Sequence, residues 1–195
     1  MATKAAVVIP VYKEELNEFE KISLAQVRKV LSNYPLIFLA PEGKTFSYTE
    51  NDLILYAPQE FFQSVRTYSD LLTSPAFYRA FLSYEYILIY QLDAFVFSDQ
   101  MEYFCSLGYD YIGAAWSSIF RREFIYRDKV YKVRVGNGGF SLRNVKACCK
   151  VFDEHPNIVN AFKGFVDDDF WSFMGLIEES DFHSAPLKIA NQFSV

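Results

Sequence analysis

Histidine, cysteine and positive charge are all scarce in this chain, and each scarcity excludes something. His155 and His183 are the only imidazoles, and each reads as an ordinary surface or satisfied residue. Cys105, Cys148 and Cys149 lack the spacing of a metal site, and the vicinal pair is a poor disulfide. An odd, sparse set reads as the reduced thiols of a cytoplasmic protein. Nineteen Lys and Arg against 24 Asp and Glu leave a net charge of −5, which argues against wholesale binding to nucleic acid. The longest apolar stretch, Tyr86 to Phe97, is interrupted by Gln91 and Asp93 and is too short to span a bilayer. Met1 to Lys4 lead straight into a short apolar strand, without the long apolar core of a secretory leader. Repeats, low-complexity tracts and linkers are also missing, so one domain over residues 1–195 is the simplest organisation.

What is abundant is aromatic. Twenty Phe and 14 Tyr exceed what a minimal core needs, and aromatic faces also suit a cleft for bases and sugars. The basic residues gather at Arg121, Arg122, Arg127, Lys129, Lys132 and Arg134, interrupted by Glu123 and Asp128. This is a solvated hairpin of mixed charge, or a local contact for a phosphate or an anionic membrane surface.

Ala5 to Val11 is a continuous run rich in valine that reads as a buried parallel strand. Glu14 to Leu31 carries Leu16, Phe19, Ile22, Leu24, Val27 and Val30 at helical spacing, with acids early and bases late. Leu36 to Ala40 and Leu53 to Tyr56 follow as strands. Ser74-Pro75 starts a helix, with Phe77, Phe81, Tyr78 and Leu82 on its buried side. Tyr86 to Tyr90 is another buried strand, and Val130 to Val135 and Phe140 to Leu142 are further strands. Helices are expected around Val145 to Phe152 and Asp168 to Ile177. This alternation predicts an α/β fold with a mostly parallel central sheet and helices on both faces.

Three segments carry chemistry. In YILIYQLDAFVF, Asp93 follows a buried strand, where α/β sheets bind ligands. It is a turn-capping acid or a ligand for a cation that bridges phosphates. In VGNGGFSLR, residues 135–143, adjacent glycines form a tight turn or let backbone approach a ligand. The segment is neither a P-loop nor a dinucleotide fingerprint. In VDDDFW, Asp167, Asp168 and Asp169 stand together. They are helix N-terminal acids favoured by the dipole, or a cluster whose repulsion raises one pKa, as a general base requires.

Together with YSDLL from Tyr68, Phe77-Tyr78 and YDYIGAAW up to Trp116, these segments resemble the bacterial family DUF5672, which is similar to glycosyltransferases of the GT-A (Rossmann-like) type. The resemblance implies transfer of a sugar from a nucleoside diphosphate donor, a UDP-sugar favoured, to a hydroxyl on a glycan or lipid-linked glycan, in bacterial polysaccharide or lipopolysaccharide assembly. It implies an inverting reaction in the cytoplasm, by a protein that is either free or in peripheral contact with the inner face of the membrane. Pro10, Val11 and Tyr12 would meet the nucleotide, with Tyr68, Gln91, Asp93, Asn137, Gly138 and Gly139 completing the donor site. Asp93 would hold Mn2+ or Mg2+. Gln91 stands where many relatives have a first acid, which leaves one carboxylate. Trp116 and Trp171 would line the sugar or acceptor pocket. The base would be Asp168, or Asp167 or Asp169 in a shifted register. Relatives continue past the Ala190 to Ser194 element, so the chain looks short there. A degenerate nucleotide- or glycan-binding module, or a nucleotidyltransferase, are the other readings.

Overall fold

The computed structural model describes residues 4–116 and 122–194; Arg121 of the basic group lies outside them. In chain order the elements are β1 (Ala5–Pro10), α1 (Glu18–Val30), β2 (Leu36–Pro41), β3 (Leu53–Ala57), α2 (Val65–Leu72), α3 (Pro75–Arg79), β4 (Tyr86–Tyr90) and α4 (Met101–Ser106). They continue with β5 (Tyr111–Ala115), β6 (Arg122–Tyr126), β7 (Lys129–Val133), β8 (Val135–Asn144), α5 (Val145–Glu154), α6 (Pro156–Ala161), α7 (Asp167–Met174) and α8 (Leu187–Phe193). Six strands form one sheet in the order β3-β2-β1-β4-β8-β5, and β6 with β7 forms a separate hairpin. β1, β2, β3 and β4 pair in parallel. β8 is antiparallel to both β4 and β5, so it is the one reversed strand of the six.

The continuous apolar runs of β1 and β4 are explained by burial on both faces. Ala6, Val8, Ile87 and Ile89 enter a core shared with Leu72, Tyr78, Phe152 and Trp171. Val7, Ile9, Leu88 and Tyr90 enter the opposite core with Leu24, Val27 and Phe104. Helices therefore cover both faces, as the sequence pattern predicts.

Three local expectations change. α1 starts at Glu18, because Asn17 caps it in a reciprocal box with Glu20. Phe19 and Ile22, expected on its apolar side, are 81% and 56% exposed. α3 ends at Arg79, which leaves Leu82 52% exposed while Phe77, Tyr78 and Phe81 are buried. The glycines of VGNGGFSLR lie within β8, where the pairing with β5 shifts register between Gly113 and Ala115. A bulge is a common place for glycine inside a strand.

Candidate active site

The chain leaves β1 toward β2 on one side, and β4 lies on the other. Such a switch point opens a crevice at the carboxyl ends of the strands. Here it is a cleft of about 740 Å³, within the usual range for ligand pockets. Pro10, Val11 and Tyr12 enter it from the end of β1, and Gln91 and Asp93 from the end of β4. Because β8 runs backwards, its glycines reach the same end: Tyr90 pairs with Phe140, and the Gln91 N–H donates to the Gly139 carbonyl at 2.8 Å.

α7 packs onto this strip and delivers the three acids, each to a different fate. Asp167 is buried and accepts from Arg143 Nη2 at 2.8 Å and Ser69 Oγ at 3.0 Å. Arg143 is itself fully buried, with Nη1 donating to the Tyr78 hydroxyl at 2.8 Å and Nε to Ser141 Oγ at 3.0 Å. Asp169 pairs with Arg122. Among the described residues Asp168 has no such ion pair; it lies against Gly138 and lines the cleft. Burial, then the negative charge of Asp167, push its pKa up to about 7, against the lowering effects of Arg143, the Gly138 N–H and Arg122. A carboxyl with that pKa is half ionised at neutral pH and can take a proton from a bound hydroxyl.

The glycines are required by this packing. A Cβ on Gly138 would lie 2.2 Å from Asp168 Oδ1 and 2.9 Å from Arg143 Nη2. On Gly136, at φ 129°, it would lie 1.7 Å from Ser172 Oγ, and on Gly139 2.8 Å from Gln91 Oε1. The close approach that the sequence suggested for a ligand is made here by the protein's own side chains.

The other end of the cleft is open. Lys13 bonds Glu20 at 2.5 Å, which raises the Lys13 pKa, with the nearby Asp93 charge adding to it. Tyr48 donates its hydroxyl to the Lys13 carbonyl at 2.5 Å. Asp93 is exposed. Among the described residues no three His, Cys, Asp or Glu side chains gather as a metal site. One strand-end carboxylate does not make a protein cage. It does fit an ion of the magnesium type, which keeps waters and is held by one or two carboxylates plus substrate phosphates.

The cleft thus joins Pro10, Val11, Tyr12, Tyr68, Gln91, Asp93, Asn137, Gly138, Gly139, Asp167 and Asp168. The Tyr68 hydroxyl is buried without a partner among the described residues. Trp171 is not a pocket residue: it is fully buried, stacks edge-on with Tyr78, and donates its indole N–H to the Leu72 carbonyl at 3.3 Å. Trp116 stays behind the lining, covered by the Arg122 guanidinium at 4.4 Å. Sequence reasoning missed Arg122, Lys13, Glu20 and Tyr48 as lining residues. Arg122, Phe124 and Tyr126 share one face of β6, but the apolar Ile125 between them hides that alternation in the sequence.

The family described as "Protein of unknown function (DUF5672)" matches residues 53–195. Comparison with curated proteins finds no match. Among solved structures, core-mannan synthase A (CmsA/Ktr4) from Aspergillus fumigatus, in its Mn/GDP form, superposes with a TM-score of 0.60 at 14% identity, over 93% of this chain and 72% of that one. The galactosyltransferase LgtC, in complex with donor and acceptor sugar analogs, gives 0.52 at 14% identity, over 92% and 73%. The cleft sits in a sheet of the same GT-A architecture as these two transferases, and the chain belongs to the DUF5672 family.

Proposed function

We propose that this chain, acting as one catalytic domain over residues 1–195, transfers a sugar from a nucleoside diphosphate donor to an acceptor hydroxyl. The observation that carries the reading is the fate of Asp168: two neighbouring acids are neutralised by buried or half-buried arginines, and the third is left in the cleft with a pKa of about 7. Asp168 takes the acceptor proton as the new glycosidic bond forms, which favours inversion at the sugar carbon. In the lining, Gly139 lies against Gln91 and Gly138 against Asp168, and Arg122 pairs with Asp169 beside Asp168. The diphosphate belongs at the Asp93 end and the acceptor at the Asp168 end.

Charge supports a cation at the first end. Lys13 is paired with Glu20, Arg143 with Asp167 and Arg122 with Asp169, so Asp93 and the ionised fraction of Asp168 are what a diphosphate meets, and both repel it. A divalent ion held by Asp93 would neutralise the departing diphosphate when bound. The uracil or guanine of a UDP or GDP donor sits against Pro10, Val11 and Tyr12. The Mn/GDP form of the mannan synthase supports both the ion and the diphosphate. The bacterial surface-glycan setting and the cytoplasmic location rest on the family resemblance.

Asp168→Asn should leave donor affinity nearly unchanged by calorimetry and cut turnover by roughly two to four orders of magnitude. Asp167→Asn and Asp169→Asn serve as controls. Turnover at the parent rate in all three removes the base assignment. A second reading, a binding module without turnover, is favoured by Gln91 and by the lone carboxylate of Asp93; it is adopted if the parent binds donors but transfers to no acceptor.

A further inference from the structure

The hairpin that brings Arg122 to the cleft has a second face, which the reaction does not use. β6 and β7 join through Arg127-Asp128, whose φ angles of 48° and 62° give the tight primed turn suited to a hairpin. Phe124, Tyr126 and Tyr131 point inward, each ring within 5.9 Å of the Phe173 ring centroid. Ile125 and Val130 are directly paired, point outward, and are 79% and 56% exposed. Arg127, Lys129 and Lys132 around them are exposed. Leaving out Arg122, which faces the cleft, residues 123–134 hold four cations and two carboxylates, a net of +2 in a chain of net −5. The remainder of the chain therefore carries −7.

We propose that this outward face docks on an anionic lipid surface and sets the acceptor end of the cleft against the bilayer. Two aliphatic side chains are far too small a core for a protein interface, which buries about 800 Å² per partner. They do suit shallow insertion at the headgroup boundary, with Lys and Arg at the lipid phosphates. Each such cation near the surface is worth about fivefold in binding. Lys132 pairs with Glu123 at 3.5 Å and Arg127 with Glu179 at 3.2 Å. Exposed pairs of this kind are weak and yield readily to a lipid phosphate. The charge split also orients the molecule, because an anionic surface attracts the hairpin and repels the rest. No described helix is long and apolar enough to cross a membrane. The docking itself stands on the hairpin alone; the role given to it, presenting a lipid-linked acceptor, rests on the transferase reading.

The test is flotation of the whole chain, without donor, with vesicles of phosphatidylcholine alone or mixed with phosphatidylglycerol, at low and high salt. Binding should require the anionic lipid and fall as salt rises. Lys129→Glu with Lys132→Glu should weaken it roughly tenfold or more. Ile125→Thr with Val130→Thr, which keeps β-branching, should weaken it by roughly tenfold. Both variants should turn over a water-soluble acceptor like the parent; the aliphatic one should melt like the parent, and the charge-reversed one slightly lower, because position 132 directly faces Glu123 across the hairpin. Failure of the parent to bind anionic vesicles at low salt overturns the proposal, as does undiminished binding by the charge-reversed variant. Attraction to polyglutamate but not to vesicles also counts against it. If vesicles bind and no sugar is ever transferred, the docking stands and the transferase reading falls; transfer without vesicle binding gives the reverse.

Discussion

At the Asp168 end of the cleft, charged groups are enclosed and interlocked: Arg143, Asp167 and Ser69 are buried, and Arg122 is sandwiched between Trp116 and Asp169. At the Asp93 end, Asp93 and Tyr12 are exposed, and the Lys13–Glu20 pair lies at the surface. One end fixes a single carboxyl in a single place. The other leaves room for a charged, hydrated group to enter and leave. Such a division fits a reaction in which proton transfer needs tight geometry while the departing nucleotide must be released.

The contrast can be broken most severely from beneath. Arg143→Met leaves Asp167 buried and unpaired, and should cost about 3–5 kcal/mol in chemical denaturation. A cost below about 1 kcal/mol would mean that the buried network does not hold the site. Asp168→Asn should act in the opposite sense. The carboxyl has a folded pKa of about 7 against an ordinary value near 3.8, so the folded state binds the extra proton. Stability contributed by this group is therefore full at low pH and lost as pH rises from about 4 toward 7 and beyond. The asparagine variant should gain up to about 4 kcal/mol over the parent at pH 8, and the gain should vanish near pH 4. Urea melts across that range decide it; a gain independent of pH would point to packing instead. Asp93→Asn, at the open end, should change stability by less than about 0.5 kcal/mol. It should nonetheless weaken donor binding and abolish any difference between manganese and chelator in calorimetry. A parent whose donor affinity ignores chelator would place no ion at Asp93.

The same division explains what could be read from the chain. β1 and β4 are legible because strands buried on both faces are continuous apolar runs, and the acid run is legible because three adjacent carboxylates are costly without partners. The partners were less visible. Arg143 comes from the far end of β8, and Arg122 from a hairpin whose mixed charge looks like a solvated surface. Both meet α7 only through tertiary contact. Trp171 lies in the core and not at the pocket wall; a tryptophan beside acids suits either place, and the indole partner that decides it, the Leu72 carbonyl, is distant in sequence. The roles of the glycines in β8 could not be separated from a turn, since their missing side chains make room for Asp168, Ser172 and Gln91, and local spacing does not reveal those contacts.

The central claim is that Asp168 is the group that titrates in the cleft and takes the acceptor proton. Its most direct test is the pH dependence of kcat in the parent and in Asp167→Asn. The parent should lose activity on the acid side with an apparent pKa near 7. Asp167→Asn removes the negative charge that helps raise it, and the acid limb should move to lower pH if Arg143 remains in place. An acid limb near pH 4 in the parent, or one that stays unmoved in the variant, would contradict the account.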